Sequence, residues 1–297
     1  AIHGLASLGF SQIEIGAVTP RAQPGNPAPR LFRYPAEQAL INRMGFNNDG
    51  MDAIRDRLTA ALRDRNDFDR CVLGVNLGKN KDTPAEGALD DFLKVHDSLK
   101  DVARFFVMNL SSPNTPGLRD LARPDFLRQA AVGYGPDIKR VWIKFDPDME
   151  KARFQELINE VGRSGFAGVV LTNTHRVEKP EAGGLSGRPV ARLSNRMLEW
   201  AWEVHRGALP MIGVGGIMTG RDVLDKIMRG AFAVQIYTAF IYRGPLVVTQ
   251  LLREFEMEMR QHGFDTVAGA IGTYYNPITR GSNTHPSPGS NLPGTSK

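Results

Sequence analysis

The chain has 297 residues, 41% hydrophobic and 23% charged, and its 37 Lys and Arg against 32 Asp and Glu leave a formal charge of +5. This composition suits one large globular α/β domain and excludes disordered or collagen-like chains, while the scattered basic residues, without interleaved aromatics, argue against a nucleic-acid face. A lone Cys71 excludes an internal disulfide, six histidines without H-x-H or H-E-x-x-H spacing argue against a metal site, and no apolar stretch is long enough to cross a membrane.

Residues 1–10 read as a helix and a Gly turn leading into a strand at 13–18, IEIGAV. The segment after it is longer than a simple βα link, and residues 30–50 are expected to hold a hairpin or flap. A helical spacing of Met51, Ile54, Leu58, Ala61 and Leu62 follows, then a strand at 72–77 and a helix carrying Leu89, Phe92, Leu93, His96 and Leu99. Strands are expected again at 105–110 and 141–145, with a helix through Phe154, Leu157, Ile158 and Val161. The strand at 168–173 precedes a helix through Leu193, Met197, Leu198, Ala201 and Val204, and the strand at 210–215 precedes one through Val223, Leu224 and Ile227. A last strand is expected at 233–238, and residues 276–297, poor in apolar groups, read as a disordered tail.

None of the strands alternates with polar residues, as expected where both faces of a parallel sheet are buried. Seven such units in a row favour a TIM-type (β/α)8 barrel over a doubly wound sheet, with the first of the usual eight strands expected upstream of Ala1. The barrel domain would span 1–275.

Barrels of this kind collect their reactive groups at the C-terminal strand ends. Here those ends carry Thr19, Asn76, Asn109, Ser111, Ser112, Asn114, Lys144, Thr172, Asn173, Thr174, Gly215, Gly216, Tyr237 and Thr238. Neutral donors and acceptors with one lysine suit a flat, amide-rich ligand better than a metal. Lys144 on an otherwise apolar strand suits an anionic or electron-rich partner, the alternative being a side chain that snorkels at the strand end. The loop GVGGIMTG at 213–220 lacks the third Gly of a dinucleotide fingerprint, but its backbone donors, with YTAFIYRGP at 237–245, suit a phosphate. GVNLGKNKDT at 74–83 has the wrong spacing for a nucleotide triphosphatase loop.

The stretches EIGAVTPRAQPGNPAPRLFR, INRMGFNN, NLSSPNTPGLR, GGLSGRP and IGVGGIMTGRDVLDKI, continuing into VQIYTAF, resemble in this order the class 2, quinone-dependent dihydroorotate dehydrogenase family. The resemblance implies oxidation of dihydroorotate to orotate in pyrimidine biosynthesis, FMN as cofactor, a quinone as electron acceptor and a peripheral membrane location. It makes Ser112 the catalytic base, where the family's cytosolic class 1 carries cysteine. It assigns the pyrimidine to Asn42, Arg43, Met44, Gly45, Phe46, Asn109, Asn114, Asn173 and Thr174. The flavin falls to Ala17, Asn76, Asn109, Lys144, Thr172, Gly187, Gly216, Tyr237 and Thr238.

The sequence also departs from the family. It begins beyond the family's helical subdomain, which forms the quinone tunnel, and beyond the first-strand lysine that grips substrate and cofactor. Ala17 stands where Ser or Thr is usual, and the stretches 117–144 and 174–183 are shorter than the resemblance implies, which predicts a trimmed barrel helix and a trimmed substrate loop. The alternative is a catalytically impaired or non-enzymatic relative that keeps the pyrimidine and flavin site without electron transfer to quinone.

Overall fold

The computed structural model describes residues 2–63, 71–112 and 117–275. A short helix α1 (Ile2–Ser7) leads into β1 (Gln12–Val18), and a hairpin of β2 (Leu31–Tyr34) and β3 (Ala39–Asn42) stands between β1 and α2 (Met51–Arg63). The chain then runs through β4 (Val72–Leu77), α3 (Ala88–Leu99), β5 (Phe105–Asn109), α4 (Pro124–Tyr134), β6 (Val141–Phe145), α5 (Lys151–Ser164) and β7 (Gly168–Leu171). A second hairpin, β8 (His175–Val177) and β9 (Gly183–Gly187), precedes α6 (Ala191–His205), β10 (Met211–Val214), α7 (Gly220–Met228) and β11 (Ala233–Gln235). The helices α8 (Thr238–Arg243), α9 (Val247–Gln261) and α10 (Val267–Ala270) complete the described chain.

Seven parallel strands pair in the order β1-β4-β5-β6-β7-β10-β11 and curl into a TIM-type barrel wall. The edge strands β1 and β11 face each other across an apolar groove lined by Leu5, Phe10, Ile13, Val234, Phe240 and Leu251. The two hairpins join into a separate antiparallel sheet, β2-β3-β9-β8, so the 30–50 insertion does not stand alone as a flap. Ala39 opposes Gly187 and Asn42 opposes Gly184 in its register.

The strands lack polar alternation because their two faces enter two different cores. Outward residues such as Phe106, Met108, Ile143, Phe145, Val169 and Leu171 pack against the helices. The intervening Phe105, Val107, Val170 and Ile212 form a smaller cluster inside the barrel, with Trp142, Val214 and Ala233 against it. Gly74 leaves space that Phe105 fills, since a Cβ there would lie 2.1 Å from its ring. Continuing each inward series by two residues reaches Asn109, Lys144, Thr172 and Gln235, so a polar layer sits directly on the apolar one.

The helices follow the expected spacings. Phe154, Leu157, Ile158 and Val161 form the buried face of α5, which stops at Gly165 in the left-handed conformation. Thr219 and Asp222 close a capping box at the start of α7. α4 is a helix that the spacing analysis passes over, and the short segment 117–144 keeps eleven residues of it, burying Phe126, Leu127, Ala130 and Tyr134. The strand expected at 233–238 stops at Gln235, because Tyr237 turns the chain and Thr238 begins α8. Residues 276–297 and Asn114 lie outside the described residues.

Lys226, at the end of α7, is buried to 1% exposure, and its Nζ donates to Ser194 Oγ at 2.7 Å and Asn195 Oδ1 at 3.0 Å. Burial pushes its pKa down to about 7, against the weaker upward pull of Asp222. The unfolded chain keeps this proton up to about pH 10.4, so folding expels it between the two values and stability should rise with pH across that window. Below pH 7 the cost is fully present. Lys226→Met should therefore flatten the pH dependence, with the difference from the native chain changing by roughly 4 kcal/mol between pH 7 and 10 in denaturant titrations. Parallel curves for the two proteins would refute the assignment.

Candidate active site

The polar layer lines a cavity of about 470 Å³ at the C-terminal ends of the strands, within the range of small-molecule sites. Ser112, Lys144 and Asn173 converge on it, together with Asn42, Met44, Gly45, Phe46, Asn109 and Thr174. Ala17, Asn76, Thr172, Gly187, Gly216, Tyr237 and Thr238 line it too. Arg43 is not among the lining residues: its guanidinium pairs with Glu181 at 2.8 Å and lies over the Phe32 ring.

Registration sets the inner end of the cavity. Gly16 pairs with Asn76 across β1 and β4, and Asn109 with Lys144 across β5 and β6, so these tips reach the same rim. Gly16 adopts φ +119, and a Cβ there would lie 2.7 Å from the Asn76 carbonyl oxygen, so the close approach of β1 to β4 requires glycine. A chain of amides runs along the rim. Asn76 Nδ2 donates to Glu14 Oε1 at 2.7 Å, Asn109 Nδ2 donates to Asn76 Oδ1 at 3.1 Å, and Asn109 Oδ1 accepts from Ser111 Oγ at 2.8 Å. Asn173 Nδ2 closes the chain on Ser111 Oγ at 2.9 Å, and its Oδ1 accepts from the Thr174 backbone N–H at 2.8 Å.

Ser111 and Ser112 are buried, at 0% and 5% exposure. Arg119 steadies the loop behind them, donating from Nε to the Ser111 carbonyl at 3.3 Å and from Nη1 to Asp148 at 3.0 Å. Burial raises the pKa of the neighbouring Asp146 carboxyl above the usual range, against the opposing pull of Arg119. His175 pairs its Nδ1 with Asp148 and is not among the residues lining the cavity. Lys79 spends its ammonium on the carbonyls of Asn80 and Thr83.

The antiparallel sheet closes the other side. Thr238 Oγ1 donates to Ser186 Oγ at 2.9 Å and Tyr242 donates to the Ala39 carbonyl at 2.7 Å, which fastens α8 to that sheet. Asn48 shapes the loop that carries Met44 to Phe46, donating to the Phe46 carbonyl at 2.7 Å and to Thr19 Oγ1 at 2.8 Å. Gly187, Gly215, Gly216 and Thr238 line the same cavity, to which the segments 213–220 and 237–245 both contribute.

Among the lining residues that the sequence candidates omit are Glu14 and Gln235. Glu14 Oε1 lies 3.4 Å from Lys144 Nζ, and Gln235 Nε2 donates to Glu14 Oε2 at 3.0 Å. The signal was present: an acid inside the apolar run IEIGAV needs a buried partner for the same reason that Lys144 does.

Comparison with known proteins agrees with this geometry. The family model for dihydroorotate dehydrogenase matches residues 1–259. The chain belongs to the dihydroorotate dehydrogenase family. It is 43% identical to dihydroorotate dehydrogenase (quinone) of Myxococcus xanthus, over 92% of this chain and 77% of that protein. It is 40% identical to the mitochondrial dihydroorotate dehydrogenase (quinone) of Mus musculus, over 92% of this chain and 73% of that one. The crystal structure of a DHODH from Eimeria tenella in complex with ferulenol superposes with a TM-score of 0.86 at 36% identity, covering 92% of this chain and 81% of that one.

Gly187 has φ +94, and a Cβ there would approach the Gln38 carbonyl oxygen to 2.2 Å. Gly187→Ala should cost about 2 kcal/mol in denaturant titrations through strain where β9 meets β3. An unchanged midpoint would show that the loop yields more easily than its packing implies.

Proposed function

We propose that this chain oxidises dihydroorotate to orotate with FMN bound in the barrel-mouth cavity and passes the electrons to a quinone. The observation that carries the reading is the convergence of Ser112, Asn109, Asn173 and Lys144 on one cavity that Gly187, Gly215 and Gly216 also line. The donor set fits FMN: Lys144, Asn76 and Thr172 suit the ring and ribityl chain, and Gly187, Gly216, Tyr237 and Thr238 suit the phosphate. The bound flavin supplies the hydride acceptor.

Dihydroorotate presents alternating amide N–H and C=O edges, and side-chain amides that donate and accept can match both. Asn109 and Asn173 hold one edge of the pyrimidine, with Thr174 beside them, and Asn42, Met44, Gly45 and Phe46 hold it from the hairpin side. Asn114, in the same loop, belongs to this set by resemblance, and Arg43 would have to leave Glu181 to join it.

Ser112 Oγ takes the proton from C5 as the C6 hydride departs, and the electron pair of the broken C5–H bond becomes the second bond between C5 and C6. A serine hydroxyl is a weak base in water, so its effectiveness depends on a site that excludes solvent and on onward transfer of the proton. The 5% exposure of Ser112 supports the first condition. Lys144 stabilises the negative charge that arrives with the hydride.

Among the described residues no helix is long and apolar enough to cross a membrane. A quinone acceptor resides in the bilayer, so the reading includes peripheral contact with a membrane surface.

The purified protein should take up FMN and show the visible spectrum of a bound flavin, bleached by dihydroorotate in stopped flow. Ser112→Ala should slow that bleaching by about 10²-fold or more while leaving the flavin bound. Loss of the flavin would make Ser112 a structural residue, and a protein that cannot be reconstituted would refute the assignment.

A further inference from the structure

Glu14 is the ion-pair partner of the partly buried Lys144. Its side chain is 13% exposed and that of Lys144 14%, with Oε1 and Nζ 3.4 Å apart. Glu14 also accepts from Asn76 at 2.7 Å and Gln235 at 3.0 Å, so one carboxylate receives donors from β4, β6 and β11. Among the described residues lining the cavity, Glu14 and Lys144 are the two charged ones.

A carboxylate accepts only. Asn76 must therefore turn its NH2 to Glu14 and its carbonyl to Asn109, which in turn directs its own carbonyl to Ser111 and Asn173. The orientation of the amides proposed to hold the pyrimidine is thus set from Glu14. Its second effect is on charge, because the ammonium facing the ring is balanced by a neighbouring anion.

We infer that Glu14 is a positioning residue that holds Lys144 as a balanced ion pair against the flavin ring, limiting how strongly the site favours an anionic ring. This rests on the flavin reading above. Sulfite provides a probe independent of turnover: it donates its lone pair to N5 of an oxidised flavin and leaves the ring anionic. Its affinity therefore reports the positive charge nearby.

Native protein, Glu14→Gln and Glu14→Asp, each reconstituted with FMN, would be titrated with sulfite while the visible band is followed. Glu14→Gln should bind sulfite about tenfold more tightly, because Lys144 loses its counter-charge. Glu14→Asp keeps the charge but withdraws it from Lys144, and should shift affinity in the same direction by less. In a Lys144→Met background the Glu14→Gln change should no longer tighten sulfite binding, which general loosening of the fold would not produce. Unchanged or weaker sulfite binding by flavin-loaded Glu14→Gln, or an equal effect without Lys144, would overturn the inference while leaving the flavin reading intact. Failure of the native protein to take up FMN would overturn both.

Discussion

Two opposite charges inside the barrel mouth, Glu14 on β1 and Lys144 on β6, set the terms for everything built around them. Removing either one would leave the other partly buried without its counter-charge, which is destabilising. The pair is tolerable because its remaining hydrogen-bonding capacity is used, with Asn76 and Gln235 both donating to the carboxylate. Gln235 lies on β11 and Glu14 on β1, so this side-chain bond also ties together the two edge strands of the sheet.

From that pair the polar layer spreads outward as a directional chain. Each amide passes its carbonyl to the next donor, through Asn76 and Asn109 to Ser111 and Asn173. Such a network is costly if half satisfied and rigid when complete. It rests on the small apolar cluster of Phe105, Val107, Val170 and Ile212, which fills the barrel interior below it. The antiparallel sheet supplies the opposite wall, and the bonds from α8 to that sheet keep its Gly187 corner beside the loop at Gly216.

Much of this arrangement was legible from the chain itself. Seven apolar runs, each with a polar or glycine residue at or beside its C-terminal end, point to one rim as the site. Ser112, Lys144 and Asn173 share the cavity that those runs predicted. Arg43 sits in the same contiguous stretch as Asn42 and Met44 yet pairs with Glu181, from the 174–183 segment, a contact that its spacing could not reveal. α4 escaped notice because Phe126, Leu127, Ala130 and Tyr134 form a short face amid glycine and proline, a weak periodic signal. The strand at 233–238 was drawn too long because Ile236 and Tyr237 suit either a strand or the turn into α8.

The sequence by itself determined the alternation of parallel strands and helices and which strand ends carry polar groups. Those properties are local: they depend on apolar spacing and on the residues that interrupt it. Tertiary structure alone decided that Glu14 and Lys144, 130 residues apart, would meet, that the two hairpins would form one sheet, and which way each amide would face. These outcomes depend on strand register and barrel curvature, since both fix the distance between groups that no single segment contains.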